Sequence, residues 1–213
     1  MFTLAPPLWG GAAADPFDAL VTLLMRFNSN VTDEKGHAFT ATGGVSYVNP
    51  DWLGGQAISI NAGSNVVTLN TASSDFDFQG DFCIEAAVKP FSNSGTDYVF
   101  DIRQSGTAIF AIYINGDRIG ALMRDGPGTN RNSTGPFLSY GSTYHFALTR
   151  QGAVFDLWVD GVSVGGHTFS YVSPIGACDL ALGGDLDGQI AWARITKGNC
   201  RYTGTFTPPA GEP

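Results

Sequence analysis

FDLWVDGVSV, residues 155–164, carries the reading of the fold. Asp160-Gly161 separates the run Phe155–Val159 from Val162–Val164, and an Asp-Gly pair suits the two positive φ angles of a type I′ turn, so a tight antiparallel hairpin is predicted. Asn115-Gly116 separates Ala111–Ile114 from Asp117–Leu122 in the same way. Strict alternation appears in the neighbouring runs. In Asp81–Val88, Phe82, Ile84, Ala86 and Val88 share one side while Cys83, Glu85 and Ala87 share the other. In Tyr144–Arg150, Tyr144, Phe146 and Leu148 oppose His145, Ala147 and Thr149. Near the C-terminus, Ile190, Trp192, Arg194 and Thr196 fall on one side, Ala191, Ala193 and Ile195 on the other, and Lys197-Gly198-Asn199 forms the turn that ends the strand.

Further short runs, at Ala19–Phe27, Ala57–Ile60, Val66–Asn70, Tyr98–Ile102, Ile109–Ile114, Ile119–Arg124, Val162–Phe169 and Asp179–Leu182, are punctuated by Gly, Asn and Asp. No βαβ alternation, heptad or longer repeat is present, so an all-β sandwich of antiparallel strands is expected. The composition agrees. Of 213 residues, 43% are hydrophobic and 14% charged, enough apolar surface to order a chain, and 28 glycines supply turns.

The net charge is −8, and the only glutamates are Glu34, Glu85 and Glu212. An acidic chain without a basic cluster repels phosphate backbones and anionic lipid, so neither nucleic acid nor membrane insertion is expected. No positive n-region precedes Arg26 and prolines interrupt residues 1–25, which is not a signal-peptide pattern; synthesis in the host cytoplasm is expected. Cys83, Cys178 and Cys200 show no CxxC spacing and read as reduced structural thiols. Residues 1–18 read as an extended N-terminal arm with Leu4, Leu8 and Trp9 as isolated apolar anchors that dock on another subunit; residues 19–213 form the domain.

Three segments in order, DFDFQGDFCIEAAVKPF, STYHFALTRQGAVFDLWVDGVSV and GQIAWARITKGNCRYTGTFTPP, resemble the concanavalin A-like, laminin-G-like jelly-roll domains, particularly those of bacteriophage structural proteins. The resemblance spans roughly residues 19–209 and implies two curved antiparallel sheets with binding at the concave face or the rim loops. One departure is the pair Ala86-Ala87, where relatives often carry Trp after the glutamate; the concave face is therefore expected to lack an aromatic platform. Arg201-Tyr202 is expected to return a cation and a phenol against the sandwich edge and pin the C-terminus.

Catalysis is not expected. Glycoside hydrolysis needs two carboxyls flanking one bond, and the E-x-D-x-x-E strand of glucanases on this fold is absent. Glu85 reads as a strand residue facing solvent or the groove, and His37, His145 and His167 as surface or strand residues without a nucleophile motif. No cofactor is required. The resemblance does raise a calcium ion on a rim loop, with Asp185, Asp187 and Asp125 as first choice of ligands and Asp97 and Asp101 behind them. For a glycan, the rim residues Asp125, Asn130, Arg131, Asn132, Tyr140 and Asn93 supply planar polar groups and an aromatic face, with DGPGTNRNSTGPF as the preferred loop. The expected function is a non-enzymatic virion component (capsid decoration, fibre or tail-associated) that docks on other virion proteins or its own copies and presents a face to cell-surface glycans. A free-standing lectin-like module is the alternative, and a glycoside hydrolase on the same scaffold the third reading.

Overall fold

The computed structural model describes residues 15–49, 55–61, 63, 66–92, 95–125, 129–170, 176–211 and 213. Leu4, Leu8, Trp9 and Asn93 lie outside the described residues, and of Asp125 only the backbone is described. Fifteen strands are found among these residues: β1 Val21–Met25, β2 Phe39–Thr42, β3 Ser46–Val48, β4 Ala57–Ile60, β5 Val66–Leu69, β6 Phe82–Ser92, β7 Thr96–Gln104, β8 Thr107–Asn115, β9 Arg118–Asp125, β10 Thr129–Phe137, β11 Tyr144–Gln151, β12 Val154–Val159, β13 Val162–Thr168, β14 Asp179–Gly184 and β15 Asp187–Lys197.

They form two antiparallel sheets packed as a jelly-roll sandwich. An eight-stranded sheet runs β13-β12-β11-β6-β15-β4-β3, with β1 also paired to β15, and a seven-stranded sheet runs β10-β9-β8-β7-β14-β5-β2. Between them lies a ladder of rings. Phe82 meets Phe78 at 4.7 Å and Phe110 at 5.0 Å between centroids, and Phe155 stacks on Phe169 at 4.5 Å. Each such pair contributes about 0.5–1.5 kcal/mol beyond its area.

The expected alternation places Phe82, Ile84, Ala86 and Val88 in this core, together with Phe146 and Leu148. One phase is corrected. Ile190 pairs with Val88 but Trp192 pairs with Ala87, so a bulge at Ala191 intervenes. Ile190 therefore joins Ala193 and Ile195 in the core, while Trp192 clusters with Ala57 and Ala87 on the outer face.

The two hairpins differ. Asp160 (φ 49°) and Gly161 (φ 79°) sit between the paired Val159 and Val162, as a type I′ turn requires. In the other, Asn115 pairs with Arg118, so the turn is Gly116-Asp117, and Gly116 at φ 60° supplies the positive first angle of a type II′ turn.

A larger correction concerns DGPGTNRNSTGPF. Thr129–Phe137 is not a rim loop but the edge strand β10, pairing Asn130 with Arg124, Arg131 with Met123 and Asn132 with Leu122. Its polar residues are exposed and only Ser133 and Gly135 are buried, a pattern an edge strand tolerates because most of its surface meets water.

Candidate functional site

β6 is buried on both faces. Its inner residues fill the core, and its outer residues are covered because the chain after Cys200 returns across β6, β11 and β12. Tyr202 and Phe206 pack on Cys83, Ala147 and Trp158, and their rings stack on each other at 3.5 Å. The Phe206 N–H donates to the Gly161 carbonyl at 3.0 Å, fixing the segment to the type I′ hairpin.

Beneath this cover lies Glu85, with no exposed surface. Its Oε1 accepts from Arg194 Nε at 2.8 Å, and its Oε2 accepts from His145 Nε2 at 2.9 Å and from the Tyr202 hydroxyl at 2.7 Å. Cross-strand pairing places Arg194 opposite Glu85, and β11 places Ala147 beside it with His145 two residues away. A second carboxylate closes the cluster: Arg201 donates through Nη1 to Asp15 Oδ1 at 2.9 Å and through Nη2 to Oδ2 at 2.7 Å, while Arg194 Nη1 reaches Oδ2 at 3.4 Å. The Arg201 guanidinium also sits 5.1 Å from the Phe17 ring centroid. Asp15 and Phe17, near the end of the expected arm at residues 1–18, thus pack on the outer face of the sheet.

Electrostatics follow from this geometry. Burial alone would raise the Glu85 carboxyl, but the His145 hydrogen bond and the Arg194 charge override it and hold it down to about 2. The Arg201 hydrogen bonds lower Asp15 against the opposing effect of burial. Burial, reinforced by Glu85, pushes the Tyr202 phenol upward, so it remains a donor. A general acid of a glycosidase needs the opposite, a carboxyl with a raised pKa beside the scissile oxygen. Glu85 therefore does not face solvent or a groove as the sequence suggested. It is an ionised, fully hydrogen-bonded staple.

The other sequence-derived candidates scatter. Tyr140 is 40% exposed and donates to the Gly116 carbonyl at 2.7 Å, beside the β8–β9 turn. Asn130, Arg131 and Asn132 pair with Arg124, Met123 and Leu122, six to eight strand residues from Gly116, or about 20–26 Å. The structure therefore does not bring Tyr140 together with Asn130, Arg131 and Asn132. The Asn132 carbonyl accepts from His167 Nε2 at 3.1 Å, and Arg131 lies 5.9 Å from the Phe169 ring. Asp185 (φ 60°) occupies the turn before β15, and Asp187 accepts from the Ser92 hydroxyl. Among the described residues no three His, Cys, Asp or Glu side chains converge as a metal site. His37 is neither strand nor free surface: it bridges Asp33 at 2.6 Å and Asp75 at 2.9 Å.

Sequence reasoning missed the ion cluster. The usable signal was present: Glu85 and Arg194 are opposite charges on the outward side of two otherwise apolar strands, and charges there need partners once covered.

The matches to known proteins agree with this architecture. The family described as the concanavalin A-like lectin/glucanases superfamily, with a laminin-G-type domain, matches residues 61–198. No curated protein sequence matches. Among solved structures, the binding domain of botulinum neurotoxin DC, in complex with rat synaptotagmin II, superposes with a TM-score of 0.69 at 11% identity, over 84% of this chain and 48% of that one. The serotype C1 binding domain gives 0.69 at 11% identity, over 84% and 49%. A botulinum neurotoxin type C structure, whose description ties cell entry to two ganglioside molecules, gives 0.67 at 12% identity, over 84% and 48%. The chain spans about half the length of each, and at such identity the likeness is one of fold. With the family match covering well over half of its length and the two-sheet topology in place, this chain belongs to the concanavalin A-like lectin/glucanases superfamily.

Proposed function

We propose that the chain is a non-enzymatic, lectin-like binding module that serves as a virion component, docking on other virion proteins or its own copies through the segment ahead of Asp15. The observation that carries the non-enzymatic part is the state of Glu85, whose carboxylate is sealed by His145, Arg194 and Tyr202 and held ionised. The other carboxylate of the cluster, Asp15, is clamped by Arg201. Neither is free to protonate a leaving group or to attack a sugar. Glycan binding is supported by family membership and by similar solved structures, one described as a neurotoxin binding domain and another in connection with two ganglioside molecules. The virion setting rests on the resemblance of the three segments quoted above to the jelly-roll domains of bacteriophage structural proteins.

Three measurements test this reading. Purified chain is expected to release no sugar from glucans or galactans, to bind glycans on an array, and to copurify with assembled particles. Turnover abolished by Glu85→Gln in a folded protein would overturn the non-enzymatic reading. Array binding without any particle association would favour the free-standing lectin-like module.

A further inference from the structure

A cleft of about 140 Å³ opens beside the Glu85 cluster, lined by Ala87, Thr143, Tyr144, His145, Asp160, Trp192, Pro208 and Pro209. It holds room for several waters, since one takes about 30 Å³ of liquid. Two of its lining residues carry the unusual feature. Among the described residues the indole Nε1 of Trp192 and the Nδ1 of His145 have no hydrogen-bond partner, although the side chains are 0% and 5% exposed. Orphaned buried polar atoms are rare and costly, about 1–3 kcal/mol each, and two on one cleft call for a common explanation.

The chemistry of the two atoms narrows what could satisfy them. Trp192 Nε1 only donates. His145 commits its Nε2–H to the ionised Glu85, which leaves Nδ1 an acceptor on the neutral ring and a donor on the protonated one. A hydroxyl accepts and donates at once, so it serves both atoms in either state. The two rings are neighbours, 5.6 Å apart between centroids and tilted by 42°, so one saccharide can touch both. Around them the walls are apolar, formed by Ala87, Tyr144, Pro208 and Pro209, and suit the carbon face of a sugar ring.

The mouth adds a charge filter. Asp160 receives the His145 N–H on Oδ1 at 2.8 Å and is exposed, so it presents negative charge to any entrant. The wall lies between two anchors, the Phe206–Gly161 bond and the Arg26 contacts to the Pro213 carbonyl. Phe206 is tied to Gly161, but among the described residues Thr207, Pro208 and Pro209 make no hydrogen bond, and they are held by packing alone. Neither orphaned atom reaches solvent in this structure, so a ligand in the cleft meets them only if the wall moves.

We propose that this cleft is a binding site for a neutral saccharide, whose hydroxyls satisfy Trp192 Nε1 and His145 Nδ1 while Pro208 and Pro209 move aside and Asp160 excludes anionic sugars. The inference rests on the lectin-like reading above and names the site that performs it.

The test follows the Trp192 indole N–H resonance of the ¹⁵N-labelled full chain, assigned from its disappearance in Trp192→Phe, during titration with methyl glycosides of mannose, galactose, glucose and N-acetylglucosamine, and with glucuronate. A saturable shift with at least one neutral glycoside is expected, with a dissociation constant on the order of 1–10 mM. Affinity measured by ligand-observed saturation transfer should weaken about tenfold in Trp192→Phe. Asp160→Asn, which keeps the oxygen that caps His145, should gain glucuronate binding. An unmoved Trp192 signal with every neutral glycoside overturns the site. If array glycans nevertheless bind, the lectin-like reading survives and its site is elsewhere; if nothing binds by either route, that reading falls too. Glucuronate shifting Trp192 as strongly as the neutral sugars would overturn the charge filter, and a signal already satisfied by one slowly exchanging water, unaltered by sugar, would make the cleft a hydration site.

Discussion

The phenol of Tyr202 reaches back 117 positions along the chain to donate a 2.7 Å hydrogen bond to Oε2 of Glu85. That bond joins the segment after the last strand to the middle of β6, so cover and sheet share one ion cluster. Tyr202→Phe is expected to lower stability by about 1.5–3 kcal/mol, the range for a hydrogen bond to a charged group. Urea denaturation should report this as a lower midpoint with an unchanged slope. Glu85→Gln should cost more, about 3–5 kcal/mol, because the buried Arg194 would lose its 2.8 Å counter-charge and keep only the 3.4 Å contact to Asp15.

The same cluster sets an acid limit. Glu85 titrates from 4.5 in the unfolded chain down to about 2 in the folded one. A depressed folded value contributes stability that is complete above the unfolded pKa and is lost as pH falls toward the folded one. Melting temperatures should drop between about pH 4.5 and pH 2, and the drop should be shallower in Glu85→Gln; equal slopes in the two proteins would contradict the assignment.

His37 works in the other direction. Burial opposes its charged form, but hydrogen bonds to the buried Asp33 and to Asp75 outweigh it and raise the imidazole above 6.5. The stabilisation is fully present below 6.5 and is lost as pH rises through the folded value. Thermal melts from pH 6 to pH 9 at low salt should show a decline that His37→Gln removes.

Gly161 is tested by a single methyl group. At φ 79° its Cβ position would collide with the Phe206 backbone carbonyl, whereas a Cβ on Gly152, at φ 60°, meets open space. Both alanine variants carry the left-handed penalty of about 1–2 kcal/mol. Gly161→Ala should lose stability beyond this and admit protease between residues 199 and 211, and Gly152→Ala should not.

Cys83, Cys178 and Cys200 are free and buried, and burial pushes each thiol upward, Cys178 to about 11. Low thiolate content and poor access both suppress reactivity. Native protein should resist maleimide at pH 7, and all three thiols should label in denaturant.

The pattern of what sequence revealed is physical. Strands buried on one or both faces, such as Phe82–Val88 and Tyr144–Arg150, carry apolar alternation and were legible almost to the residue. The three strands that escaped notice, β2, β3 and β10, all stand at sheet edges, where solvent relaxes the demand for apolar residues. β10 shows the cost of this: nine residues of Thr, Asn, Arg, Ser, Gly, Pro and Phe read as a loop, yet backbone pairing with β9 holds them extended. The bulge at Ala191 was equally silent, because one extra residue leaves no mark on composition. For the site, Glu85 was visible and its surroundings were not. Its partners come from β11, β15 and the returning segment, and such convergence is a property of topology rather than spacing.

The position of β15 has a consequence for biogenesis. This final strand fills an interior slot, hydrogen-bonded to β6 on one flank and to β1 and β4 on the other. Until it leaves the ribosome, β6 offers an unpaired apolar edge, β1 lacks its strand partner and β4 has only β3. The sheet is therefore expected to assemble late and all at once, through contacts distant in sequence, and a stalled nascent chain ending before Asp187 would be a ready substrate for chaperones or aggregation.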